Sequence, residues 1–234
     1  MKRLLLIPII ALALLTARAE RFEMMKVGEF MELNVIGPLN VDYVSSADSA
    51  GIVQIVAPDA TMVPWVEAKI SGKKLKLALK KPTDVKEWPS VLPRVKVYST
   101  YLTKVHYDGD STVRVLAATE VPEFTARLTG NGRLSARNIK CGRVNAQAAA
   151  GHGIIALSGT ASHKASYTVL GAGVIQADQL QTPEASVKLT GTGTVGVDAG
   201  KKLSITGMGS GTVYYLGSPE LKKHATGIAI QPIE

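Results

Sequence analysis

Between Phe124 and the C-terminus, apolar and polar residues alternate in short stretches that return about every twenty residues. Each return is marked by a Gly-x-Gly tripeptide beginning at Gly130, Gly151, Gly171, Gly191 and Gly209, so the first glycines stand 21, 20, 20 and 18 residues apart. Degenerate copies flank the series at Asp108-Gly109-Asp110-Ser111 and Thr226-Gly227-Ile228. Two positions after each tripeptide stand Leu134, Ile155, Ile175, Val195 and Val213; four positions after it stand Ala136, Leu157, Ala177, Val197 and Tyr215. Apolar columns two residues apart predict strands with one buried face. The column between them, Ser135, Ala156, Gln176, Gly196 and Tyr214, is mixed and is expected to face outward.

Phe124-Thr125-Ala126-Arg127-Leu128 and Ala185-Ser186-Val187-Lys188-Leu189 alternate in the same way before their glycines. Each repeat therefore reads as two strands meeting at a glycine corner, and a period near twenty predicts a solenoid of stacked, parallel rungs. Glycine suits such a corner because the chain turns sharply and the neighbouring rung comes too close for a side chain. The stretch Val144–Ala150 carries one residue more than its counterparts, which predicts a bulge. Residues 20–108 lack the glycine period but still alternate. Strands are expected over 30–35, 41–44, 52–56, 94–98 and 104–107, with a hairpin over 68–77 and a proline-rich inserted loop over 81–93.

Composition agrees with this reading: 22 Gly, 3 Phe and many Val, Thr, Ala and Ile favour strands and turns. At the N-terminus, Met1-Lys2-Arg3, the apolar run Leu4–Leu15 and Ala17-Arg18-Ala19 form the pattern of a secretory signal peptide. The expected organisation is thus a leader over 1–19, an N-terminal β region over 20–108 and a repeat region over 109–234. The apolar run is too short to span a bilayer, and export to the periplasm, outer surface or medium is expected. Cys141 is the only cysteine, so neither a disulfide framework nor a lipid anchor at the new N-terminus is expected. The net charge of +8 falls to +5 once Lys2, Arg3 and Arg18 are removed, too diffuse a balance to point to nucleic acid.

The repeat glycines, Phe30-Met31-Glu32-Leu33-Asn34-Val35, Val95-Lys96-Val97-Tyr98 and the closing Gly211-Thr212-Val213-Tyr214-Tyr215-Leu216-Gly217-Ser218-Pro219 together resemble the putative auto-transporter adhesin, head GIN domain family of Bacteroides and related Gram-negative bacteria. The resemblance spans Phe30 to Ile230. It implies an all-β, right-handed parallel β-helix of pectin-lyase-like architecture, an adhesive role and no established catalytic residues. Where that family usually shows Gly-Ser-Gly, this chain carries Asn131, His152, Ala172 and Thr192 at the central position.

Gly191-Thr192-Gly193-Thr194-Val195-Gly196 fits a dinucleotide-binding fingerprint, but no helix follows and the glycines belong to the repeat. Asp178 and Asp198 occupy the same repeat position, so their carboxylates are expected to stack outside the coil, where they could hold a cation or serve a retaining glycosidase. Solvated surface acids are the simpler expectation. His106, His152, His163 and His224 show no metal-ligand spacing. Lys69, Lys73, Lys74, Lys76, Lys80, Lys81 and Lys86 crowd one hairpin and loop, where they could meet an acidic polysaccharide, lipid headgroups or nucleic acid, or simply solvate a strand. Tyr214 and Tyr215 stand near the last rung, one expected to cover the core and the other to face outward. The expected function is non-catalytic binding of a glycan or cell-surface protein. No cofactor, nucleic acid or metal is expected; a carbohydrate-active enzyme or a structural envelope protein are the alternatives.

Overall fold

The computed structural model describes residues 21–233, and the leader predicted over 1–19 lies outside them. The described residues form one sheet of 17 strands, coiled on itself, and a single 3₁₀ helix at Ala60–Trp65. The first nine strands are short: β1 (Arg21–Lys26), β2 (Glu32–Ile36), β3 (Asn40–Ser45), β4 (Ile52–Ala57), β5 (Val66–Ser71), β6 (Lys74–Leu79), β7 (Arg94–Ser99), β8 (Lys104–Asp108) and β9 (Thr112–Val115). The repeats supply the long ones, β10 (Ala118–Thr129), β11 (Arg133–Ala149), β12 (Ile154–Gly171), β13 (Val174–Gly191) and β14 (Thr194–Gly209). The chain closes with β15 (Thr212–Leu216), β16 (Glu220–Thr226) and β17 (Ala229–Pro232).

Parallel strands about 20 residues apart stack through about six turns, as the glycine period predicts. Each long strand leaves one corner on what we term the second face, bends, and enters the next corner on the first face. On the second face Leu134 pairs with Ile155, Ile155 with Ile175, Ile175 with Val195 and Val195 with Val213. All five are fully buried. On the first face the inward column runs Leu128, Ala148, Val169 and Leu189. These aliphatic ladders meet inside and form one continuous core, the dominant source of stability in such a coil.

The corners explain the glycines. The carbonyl of Gly171 accepts the N–H groups of Thr192 and Gly193 from the next rung, at 3.0 and 3.1 Å. A Cβ on Gly191 would sit 2.4 Å from that oxygen, and the backbone there has φ of +120°. Gly171 itself has φ of +108°, but a Cβ on it would meet nothing within 4 Å. The rung beneath it carries the surplus residue, but in the corner and not as a bulge within the strand, whose register is unbroken from Val144 to Ala149. Ala149 pairs with Leu170, which leaves Ala150 as the extra residue, in a left-handed conformation at φ of +53°.

The N-terminal region joins the same coil out of sequence order. β2 is paired in parallel with both β6 and β8, and β3 with both β7 and β9. After β3 the chain leaves the stack through β4, the 3₁₀ helix and β5, returns as β6 and β7 on one side of β2 and β3, then crosses to the other side as β8 and β9. The outer strands turn antiparallel: β4 pairs with β7, β1 with β4 and β5 with β6. These strands close the N-terminal end. Its core holds the large aromatic rings of Phe30 and Tyr43, in edge contact at 6.4 Å. The Tyr43 hydroxyl donates to the carbonyl of Ser99, and the Ser99 hydroxyl donates to Tyr43 Oη.

Among the described residues nothing covers the last rung at the other end. β16 and β17 are its edge strands, and Lys223 occupies the inward register position against Ile205 but remains exposed. A lysine there discourages the addition of further strands. As expected, Tyr215 packs against the core while Tyr214 faces outward. Cys141 is buried, its thiol pushed up to about 11 by burial, so it stays protonated at neutral pH.

Strain and crowding separate at the corners, which makes them testable. Gly171→Ala is expected to lose about 1–2 kcal/mol through its backbone conformation alone. Gly191→Ala adds the clash with the Gly171 carbonyl and is expected to lose at least ~1 kcal/mol more. Chemical denaturation of both variants measures the difference; equal losses would contradict the close approach of the two corners.

Candidate functional site

Outward positions on the second face follow from the same alternation that buries the inward ones. On β11 the residues after the corner read Arg133, Ser135 and Arg137, all pointing away from Leu134 and Ala136. Their neighbours on β9 are Thr112 and Arg114, and on β12 Ile154 and Ala156. Because Ser135 and Ala156 are short, the longer side chains around them enclose a shallow recess of about 390 Å³. Arg114, Arg133, Arg137, Ser158, Gln176 and Asp178 stand around it.

The three guanidinium groups are held differently. Arg114 is gripped by Asp42 on β3 through Nε–Oδ1 and Nη2–Oδ2 contacts of 2.6 and 2.8 Å, a bidentate pair that fixes it and offsets its charge. Arg133 Nη2 donates to Gln176 Oε1 at 3.5 Å, a weak hold. Arg137 is exposed, and among the described residues its side chain has neither hydrogen bond nor ion pair. The recess thus presents two available planar cations, one carboxylate and several neutral hydrogen-bonding groups. This chemistry suits a carboxylate or sulfate surrounded by hydroxyls.

Asp178 and Asp198 are near each other but border different hollows. The ladder shifts register between Ala177 and Gln181, so Asp198 lies against Gln181 and not against Asp178. Asp178 leans over Gly196 toward the arginine recess. Asp198 instead borders a separate depression with Thr160, Ser162, Thr182 and Lys201. The stacked pair expected from repeat position is therefore replaced by two acids facing different hollows. Burial, and then the charge of Asp178, raise the Asp198 pKa above the usual carboxylate value. Among the described residues no three acidic, histidine or cysteine side chains gather as metal ligands do.

Three lysines of the cluster have a carboxylate partner. Lys69 and Lys80 pair with Glu67 at 2.5 and 3.1 Å, and Lys74 and Lys104 with Glu32 at 3.8 Å each. Lys81 lies over the Trp88 ring, 5.8 Å from its centre. His152 is exposed at its corner, and His163 shares a 3.0 Å hydrogen bond with Ser162. His106 is half-buried on the first face, and burial lowers its pKa. None of these groups converges with the recess. The arginines that do were not singled out in the sequence, although Arg133, directly after a corner, and Arg137 both occupy outward positions of the alternation.

The family model described as "Putative auto-transporter adhesin, head GIN domain" matches residues 29–219. Among solved structures, a putative adhesin from Bacteroides fragilis NCTC 9343 is 22% identical with a TM-score of 0.76, over 91% of this chain and 96% of that one. A putative adhesin from Parabacteroides merdae ATCC 43184 is 20% identical with a TM-score of 0.70, over 92% and 96%. A putative lipid binding protein from Parabacteroides distasonis ATCC 8503 has the same identity and TM-score, over 92% and 97%. At these identities the likeness establishes the fold alone. No curated protein matches the chain.

The Asp178–Asp198 proximity has a pH signature. Because the Asp198 pKa is raised, its ionised form is less favourable in the folded chain than in the unfolded one. Stability from this group therefore increases as pH falls through the folded pKa, until the unfolded chain protonates too. Asp178→Asn removes one of the two causes and is expected to lower the Asp198 pKa, read from the NMR titration of its carboxyl carbon. An unchanged titration would show that the two carboxylates do not sense each other.

Proposed function

The chain belongs to the auto-transporter adhesin, head GIN domain family, and we propose that it is an exported, non-catalytic adhesin that binds an anionic glycan in the arginine recess of its second face. Membership in this family supports an adhesin-like β-helix protein. The observation that carries the finer reading is the pairing of Arg133 and Arg137 around a floor of short side chains, with Gln176 and Ser158 beside them. Guanidinium groups recognise carboxylates and sulfates through two parallel hydrogen bonds, and the neutral groups suit ring hydroxyls. Tyr214 lies farther along the same outward column, where its ring could stack on a sugar.

Several features support binding without chemistry. Asp178 and Asp198 face different hollows, and a retaining glycosidase needs two carboxyl groups converging on one bond. The stacked, hydrogen-bonded rungs also fit adhesion, since a preorganised surface loses little freedom on contact. Export rests on the leader read from residues 1–19. No described helix is long and apolar enough to cross a membrane.

A glycan array tests this reading directly. Uronic-acid or sulfated glycans are expected to bind in preference to neutral ones, and added salt is expected to weaken that binding. Charge-assisted contacts of this kind contribute about 1.5–3 kcal/mol each. Arg133→Glu with Arg137→Glu should therefore weaken binding by tenfold or more, on the order of 1.4 kcal/mol for each tenfold change. Equal binding of neutral glycans, or full binding by the double variant, would overturn the proposal.

A further inference from the structure

The first face carries a hollow of its own where the N-terminal coil meets the repeats. β2 lies between β6 and β8, and β8 lies beside β10, so outward residues of four strands stand in two rows. One row runs Lys74, Glu32, Lys104 and Thr125; the other runs Lys76, Asn34, His106 and Arg127. Strands about 4.8 Å apart bring these side chains within reach of one small ligand. They enclose a hollow of about 80 Å³, lined by Glu32, Asn34, Lys74, Lys104, His106 and Arg127 above the buried Leu33.

Charge in the hollow is unevenly matched, with three cations against one carboxylate. Glu32 lies 3.8 Å from both Lys74 and Lys104, beyond hydrogen-bond reach, so it offsets them without fastening either. Arg127 is exposed, and among the described residues its side chain has neither hydrogen bond nor ion pair. Around the half-buried His106, burial lowers the imidazole pKa, Asp108 opposes that, and Arg127, Lys104 and Lys74 add to it. Glu32 on β2 and Lys76 on β6 are the other charged groups in the two rows. Asn34 gives a second, independent sign. Its Oδ1 is buried and accepts no hydrogen bond, and such an acceptor is costly to leave without a donor.

We infer that this hollow holds a phosphate group, whose ionised oxygens accept from Arg127, Lys74 and Lys104 while its P–O–H donates to Asn34 Oδ1. A guanidinium matches phosphate through paired hydrogen bonds, and the lysines add point charges. Hydrogen phosphate supplies both the negative charge and the donor that these residues lack; sulfate supplies only the charge. Inorganic phosphate and a sugar phosphate present the same group. Arg127 also borders an adjoining hollow of about 250 Å³ with Thr125, Asn145, Gln147, Ser166 and Thr168, which offers neutral partners to sugar hydroxyls. This site is separate from the arginine recess, and its occupancy does not depend on glycan binding there.

The His106 ring reports on the site. Sodium phosphate is titrated into the chain at constant ionic strength, with chloride as the balance, at about pH 5.5, below the second phosphate pKa of about 6. The NMR resonance of the His106 ring, assigned with His106→Asn, is expected to shift saturably at one phosphate per chain. Because the anion favours the imidazolium, saturating phosphate is expected to raise the His106 titration midpoint by about one pH unit. Sulfate is expected to bind at least about tenfold more weakly. Tighter binding of glucose 6-phosphate than of inorganic phosphate identifies the sugar ester as the source; equal or weaker binding identifies the free anion. Lys104→Gln with Arg127→Gln should weaken phosphate binding at least about tenfold, whereas Glu32→Gln should strengthen it, with the far-ultraviolet circular dichroism unchanged in both. Arg133→Glu with Arg137→Glu should leave it intact. No saturable shift, equal binding of sulfate, undiminished binding by the Lys104 and Arg127 variant, or weaker binding by Glu32→Gln would overturn the inference.

Discussion

Each glycine corner accepts hydrogen bonds from the rung that follows, and this close approach of backbone to backbone governs the rest of the molecule. Gly132 N–H reaches the Gly109 carbonyl at 2.9 Å, Gly153 the Gly130 carbonyl at 3.1 Å, and Thr212 the Gly193 carbonyl at 3.1 Å. The ladder therefore runs through the turns instead of stopping at them. With the corners in register, the positions two residues on fall into register as well. Leu134, Ile155, Ile175, Val195 and Val213 line up inside, while Ser135, Ala156, Gln176, Gly196 and Tyr214 line up outside. A slip of one residue would exchange these two columns.

That constraint determines which parts of the structure were legible beforehand. The repeat region could be read because partners lie about twenty residues apart and every rung obeys one rule. Ala150 was visible as a surplus residue, although only the backbone shows that it sits at the corner and not within the strand. The N-terminal coil was not legible in the same way. Leu33 pairs with Leu75 on one side and Val105 on the other, so its partners lie 42 and 72 residues away with no common period. Alternation revealed those strands one by one but gave no rung order. The acid pair failed for a related reason. Asp178 and Asp198 share a count from their glycines, but the rungs turn with different numbers of residues after Ala177, and counting does not register the shift.

The two ends of the coil differ because they answer different physical demands. At the N-terminal end, antiparallel strands and a proline-rich loop cover the large aromatic core. At the other end Lys223 sits on an edge that no described residue covers, where desolvating its charge opposes a further strand. Between them the second face is a stiff platform with side chains set by strand spacing, about 4.8 Å from rung to rung. Small residues at Ser135 and Ala156 open a recess in that platform, and arginines at outward positions give it its charge. Binding chemistry on this protein is thus a matter of which side chains the repeat leaves outside.

Amide hydrogen exchange at the corners examines the central interaction most directly. If rung-to-rung hydrogen bonds pass through the turns, the N–H groups of Gly132, Gly153 and Gly193 should exchange as slowly as that of Val195 in the adjoining strand. Exchange at the rapid rate of solvent-exposed turn amides, with Val195 still protected, would contradict the account and leave the glycines as ordinary loop residues between independent strands.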